Sequence, residues 1–208
     1  AGPERVEELL HQAEEAIAQA GLAGQVSIAF DEWNVWVHAH YECAWEEPYL
    51  LRDGLYAASI FNVLYRECRH VTMANLAQLV NVLGAIYTTP TGLFLTPIYL
   101  ACRLHRDHSG PVSLHTEVDS PTFDARPMGR FMPPRLGARY VDAAATLDEE
   151  RRTLYLSVVN RHRSEPAEVQ VQIEGTSVQL EGAGHDLNGP SALSGNSITN
   201  PDVVRVQP

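Results

Sequence analysis

The stretch Val26-Ser27-Ile28-Ala29-Phe30-Asp31-Glu32-Trp33-Asn34 decides how the rest of this sequence is read. The apolar run Val26 to Phe30 stops abruptly at Asp31, Glu32, Trp33 and Asn34, which predicts a buried strand with polar residues at its C-terminal end. Period two places Glu32 on the face of Phe30 and Ile28 and Asp31 on the other. Only one of the two acids then points into whatever lies at the end of the strand. Taken alone, the pattern also suits a carboxylate that caps a neighbouring helix or sits on the surface.

Working outward, the preceding segment places Val6, Leu9, Leu10, Ala13, Ile17 and Ala20 at helical spacing, with Pro3 in a first turn and Gly21 positioned to stop the helix. Beyond the strand, a second helix is expected from about Leu50 to Cys68. It is apolar on most of its circumference and therefore covered. Val71 to Ala77 reads as another strand, again ending in polar residues, Gln78 and Asn81. Thr88, Pro90, Thr91 and Gly92 mark a loop, and Leu93 to Leu104 reads as a third helix despite Pro97.

Past Gly110 the pattern changes to alternation between turn clusters. Strands are expected at Tyr140 to Leu147 and Thr153 to Asn160, joined by the acidic turn Asp148 to Arg152. Val169, Val171 and Ile173 alternate with Glu168, Gln170 and Gln172 in the same way. The expected organisation is two domains, residues 1–110 with alternating helices and strands and residues 111–208 as an all-β sandwich that is incomplete at its end.

Composition narrows the functional classes. The chain has 208 residues, 45% hydrophobic, and 26 acidic against 15 basic residues for a formal net charge of -11. No stretch gathers positive charge into a patch, so nucleic acid and anionic membrane surfaces are excluded as expected partners. Every basic residue is Arg, which we read as genome bias. Cys43, Cys68 and Cys102 are odd in number and widely spaced, which favours reduced thiols and a cytoplasmic location. No leader-like start and no bilayer-length apolar run is present.

Strands that alternate with helices and end in polar residues are what the last part of a (β/α)₈ barrel looks like, because such barrels carry their chemistry at the C-terminal ends of the strands. The run Phe30 to Trp36 resembles the seventh-strand signature of the glycoside hydrolase family 51 α-L-arabinofuranosidases. Leu76 to Asn81 is similar to that family's eighth-strand segment, Val118 to Asp124 resembles its entry into the β-sandwich, and Tyr140 to Asn160 continues the match. The resemblance implies the C-terminal part of a (β/α)₈ TIM barrel followed by an antiparallel β-sandwich. It also implies a retaining hydrolase that releases terminal α-L-arabinofuranosyl residues from arabinose-containing saccharides.

By that resemblance Glu32 is the catalytic nucleophile, Trp36 a platform for the sugar and Gln78 a ligand of its hydroxyls. Asp31 anchors the strand end and Trp33 belongs to the core. No metal and no cofactor is implied. His38 and His40 lack a third ligand at a fixed offset and read as loop residues near the substrate entrance, with Glu42, Cys43, Trp45, Glu46 and Glu47 extending the same loop. The family's acid/base glutamate lies on an earlier strand that this sequence does not contain. A retaining mechanism needs that second carboxyl group about 5–5.5 Å from the first. It is expected from an N-terminal barrel segment or a separate chain, in a homo-oligomer. The alternatives are a retaining glycosidase of a related family with another sugar specificity, or a non-catalytic subunit of the same architecture.

Overall fold

The computed structural model describes residues 2–36, 49–127, 133–175, 179 and 182–208. The loop residues His38, His40, Glu42, Cys43, Trp45, Glu46 and Glu47 lie outside them.

Helix α1 (Gly2–Gln19) ends as its sequence requires. Gly21 takes φ +72°, its N–H reaches the carbonyl of Ala18, and the N–H of Leu22 reaches that of Ile17. This pair of bonds closes the last turn and needs a residue tolerant of left-handed backbone at the glycine. Strand β1 (Ile28–Trp33) follows, then α2 (Leu51–Arg66), whose first turn is fastened by the Leu50 N–H donating to Asp53 Oδ2 at 2.8 Å. Strand β2 (Val71–Leu76) returns parallel to β1, in register Ile28 with Val71 and Trp33 with Leu76. The unit is strand, covering helix, parallel strand.

A hairpin comes next, β3 (Ile86–Thr89) with β4 (Gly92–Leu95), then α3 (Pro97–Asp107). The expected helix from Leu93 thus starts four residues late. Leu93 to Leu95 pair with Ile86 to Thr88, and Pro97 sits in the first turn, where its missing N–H costs nothing. Thr96 caps the helix and also donates to the carbonyl of Ala85 at 2.8 Å. Helix α3 packs closely on α2 because Gly54 has no side chain: a Cβ there would stand 2.8 Å from the Pro97 carbonyl oxygen.

The remaining described residues are strands and loops. They are β5 (Val112–Leu114), β6 (Thr122–Ala125), β7 (Arg135–Arg139), β8 (Val141–Asp148), β9 (Thr153–Asn160), β10 (Asp186–Asn188) and β11 (Arg205–Gln207). The antiparallel sheet runs β5-β8-β9, while β6 pairs with β7 and β10 with β11. The hairpin β8–β9 matches the sequence reading within a residue. Val169 to Ile173 does not: the segment joins no strand, and Val171 is 52% exposed. Alternation reports one apolar face, but a strand also needs a neighbour's backbone, and no described residue offers one there.

One core crosses the chain. Trp33 of β1, Ile60 of α2 and Ile98 of α3 share a buried cluster with Val159 of β9, Leu187 of β10 and Val204. A buried polar network runs alongside it. Asp142 of β8, 4% exposed, accepts from Asn62 Nδ2 at 3.1 Å and Arg66 Nη1 at 3.2 Å and is ion-paired with Arg161 at 3.1 Å. Arg66 also donates to Glu7 at 2.6 Å, and Arg161 to Glu4 at 3.0 Å. Glu4 further accepts the Arg139 backbone N–H at 3.1 Å. Helices α1 and α2 are therefore tied to the later strands by charges removed from water, each with a partner of opposite sign.

Candidate active site

β1 and β2 present one face to the helices and leave the other open. Ile28 and Phe30 pack beneath α1 and α2, and Trp33, 5% exposed, packs edge-to-face on Phe61 with ring centroids 5.5 Å apart. On the opposite face Ala29 and Asn75 are exposed and Met73 is 53% exposed. A parallel pair is ordinarily covered on both sides.

The expected alternation through Phe30 and Glu32 does not hold to the end of the strand. Between Phe30 and Trp33 the register slips, three residues of β1 matching two of β2, so Trp33 rather than Glu32 joins Phe30 in the core. A bulge of this kind re-aims side chains at a strand end. Its effect here is to leave both Asp31 and Glu32 exposed. Asp31 accepts from Asn75 Nδ2 at 3.1 Å, the anchoring role expected of it. No hydrogen bond or ion pair joins Glu32 to another described residue, which suits a group that has to meet something from outside.

Gln78 and Trp36 come to the same end of the strands. The Ala77 N–H donates to the carbonyl of Trp33 at 3.1 Å, so Gln78, exposed, follows directly on the last bond between β1 and β2. The Ala77–Gln78 peptide is cis. Trp36, three residues beyond Trp33, is 51% exposed. The two tryptophans divide as the sequence suggests, one in the core and one facing outward.

Three groups at this end escaped the sequence reading. Asn34 Nδ2 donates to the carbonyls of Ala77 at 2.6 Å and Leu83 at 2.9 Å, while its Oδ1 accepts the Val35 N–H at 2.8 Å. The buried Tyr49 hydroxyl donates to the carbonyl of Val35 at 3.0 Å and approaches that of Leu83 at 3.4 Å. The Leu83 carbonyl also accepts the Gln78 N–H at 3.3 Å. Asn34 stood inside the quoted motif and was a legible candidate, since a lone amide just past a strand end seeks backbone partners. Nothing local marked Tyr49 or Leu83. Beneath the strand end, Phe61 stacks on His105 with centroids 4.7 Å apart, and burial holds that imidazole's pKa down to about 4.

Comparison with known proteins fits this arrangement. The Alpha-L-arabinofuranosidase C-terminal domain family matches residues 31–208. The chain belongs to that family. It is 29% identical over 172 residues to the probable α-L-arabinofuranosidase C of Aspergillus clavatus, covering 82% of this chain and 33% of that protein. Among solved structures, the GH51 α-L-arabinofuranosidase of Thermotoga petrophila superposes with a TM-score of 0.86 at 35% identity, covering 99% of this chain and 44% of that one. An arabinose complex of the Thermotoga maritima α-L-arabinofuranosidase gives 0.84 at 35% identity, covering 97% and 42%. The chain thus spans about a third of the fungal relative and less than half of the solved chains. No helix among the described residues is long and apolar enough to cross a membrane.

Proposed function

We propose that this arabinofuranosidase-family chain supplies the nucleophile Glu32 to a retaining α-L-arabinofuranosidase whose acid/base carboxylate comes from outside these 208 residues. Residues 1–110 form the C-terminal part of a (β/α)₈ barrel and residues 111–208 a β-sandwich packed against it. The observation that carries the reading is the shared strand end: Glu32, Gln78 and Trp36 are all exposed where the parallel strands β1 and β2 finish, and Glu32 has no described partner to neutralise it. The uncovered face bearing Ala29, Met73 and Asn75 supports further barrel strands there, from an N-terminal segment or another chain, in a homo-oligomer.

The chemistry follows from the residue types. An ionised carboxylate attacks the anomeric carbon, the leaving oxygen departs with a proton from the second carboxyl group, and water then releases the sugar from Glu32 by the reverse proton path. The planar amide of Gln78 pairs a donor and an acceptor with neighbouring sugar hydroxyls, and the Trp36 ring offers a flat apolar surface to their C–H face. Terminal arabinofuranosyl groups of arabinose-containing oligo- or polysaccharides are the substrates this predicts. No step in this scheme calls for a metal or a cofactor.

The test is Glu32→Ala in the completed enzyme. Turnover of an aryl α-L-arabinofuranoside should fall by several orders of magnitude while the fold persists. Added azide should restore part of the activity and give an arabinosyl azide of inverted configuration, because the anion attacks from the side the carboxylate vacated. Near-normal turnover, or a rescued product of retained configuration, refutes the assignment.

A further inference from the structure

We infer that Asn34 is a positioning residue for the reaction, fastening the loop that carries Gln78 to the strand that carries Glu32; this rests on the roles proposed for those two residues. The side chain sits two positions past Glu32 and is used at all three of its bonds, to the carbonyls of Ala77 and Leu83 and to the N–H of Val35. The first two lie on either side of Gln78 in the chain. The third fixes the backbone that leads from Glu32 to Trp36. One amide therefore holds the nucleophile's strand, the platform's approach and the sugar-binding loop in a single register.

Two further observations show that the loop needs such a fastening. Between β2 and β3 the backbone passes through Asn81 at φ +61° and Leu83 at φ +50°, left-handed conformations that residues with a side chain adopt only when surrounding bonds hold them. Asn81 is held by Thr88, whose N–H donates to its Oδ1 at 2.7 Å. Leu83 is held from the other side, its carbonyl receiving Asn34 Nδ2, the Gln78 N–H and the Tyr49 hydroxyl together. Release of Asn34 removes one of those donors and the only side-chain bond that spans Ala77 and Leu83 among the described residues. Gln78 then loses its position relative to Glu32 although neither reacting group has been touched. Errors of about 1 Å in such placement are worth roughly a hundredfold in rate.

The experiment is a double-mutant cycle in the completed enzyme, read as kcat and KM for an aryl α-L-arabinofuranoside together with the thermal midpoint. Asn34→Ala should lower kcat/KM about tenfold to a hundredfold. The double variant Asn34→Ala with Gln78→Ala should be no slower than the worse of the two single variants, because an unfastened Gln78 has little left to lose. Tyr49→Phe, which removes one hydroxyl and keeps the ring, should show a smaller fall with the same lack of additivity and serves if Asn34→Ala does not fold. Losses that multiply in the double variant overturn the inference, and so does a lowered thermal midpoint with unchanged kinetics. Glu32→Ala run alongside separates the two layers: an active Glu32→Ala enzyme removes the site reading and this inference with it. A dead Glu32→Ala enzyme beside a kinetically silent Asn34→Ala removes only the role of Asn34.

Discussion

Truncation of Asp142 should be among the costliest single changes in this chain that do not touch the proposed catalytic groups. Its carboxylate, 4% exposed, meets Asn62, Arg66 and Arg161 at 3.1–3.2 Å. Hydrogen bonds to charged groups contribute about 1.5–3 kcal/mol each. Full loss of the two hydrogen bonds, from Asn62 and Arg66, and of the Arg161 ion pair is not expected, because Arg66 keeps Glu7 and Arg161 keeps Glu4. Breaking a buried pair from one side costs about 3–5 kcal/mol, and the retained partners place Asp142→Ala near the lower end. For a chain of this length about 3 kcal/mol lowers the thermal midpoint by roughly 6–12 °C. Urea unfolding at pH 7, followed by tryptophan fluorescence in the polypeptide that carries residues 1–208, gives the number directly. Because the network is withdrawn from solvent, the loss should be nearly the same in dilute buffer and in 1 M salt, where an exposed pair would be screened. A loss under about 1 kcal/mol, or one that vanishes in salt, would mean that water reaches these charges and that the two halves are not locked through them.

Two other outcomes are expected. His105 is buried against Phe61 with its pKa held at about 4 against an ordinary 6.5, so its contribution to stability is whole above pH 6.5 and is lost as pH falls through 4. Between pH 7 and pH 4.5 the native chain should lose ~2 kcal/mol more unfolding free energy than His105→Gln, and equal losses in the two proteins would disprove the buried neutral state. Trp36→Ala in the completed enzyme should raise KM for the arabinofuranoside about tenfold with little change in thermal midpoint, since the residue is already half exposed. A large drop in midpoint with unaltered kinetics would assign the ring to the core.

How much of this was legible in advance depended on whether the signal was local. Helix α1 and the β8–β9 hairpin were readable because periodicity, stop residues and turn residues all lie within the segments they shape. Leu93 to Leu95 were misread as helix because their pairing partners, Ile86 to Thr88, decide the matter from outside, and Pro97 marks a helix start as readily as an interruption. Val169 to Ile173 failed in the opposite sense, carrying the local pattern of a strand without a ladder to join. At the proposed site, Glu32, Gln78 and Trp36 are singled out by motif resemblance and not by periodicity, which would turn Glu32 toward Phe30. The register slip that frees it is a property of two strands together. The Asn34–Tyr49–Leu83 knot joins residues from three separate stretches and became visible only when they met.

The shared core also bears on how such chains can be recombined. Val159, Leu187 and Val204 complete the packing of Trp33 and Ile60, and Glu4 and Arg66 are ion-paired with Arg161 and Asp142 across the same boundary. A chimaera cut at Gly110 that joins residues 1–110 to the corresponding strands of a relative would inherit half of each arrangement. Gly110 itself tolerates no side chain, because a Cβ there would collide with the backbone of Leu147 and Asp148. The exchangeable unit is therefore set by the charge pairs rather than by the change in secondary structure, and a working graft has to carry residues 4, 66, 142 and 161 as one set.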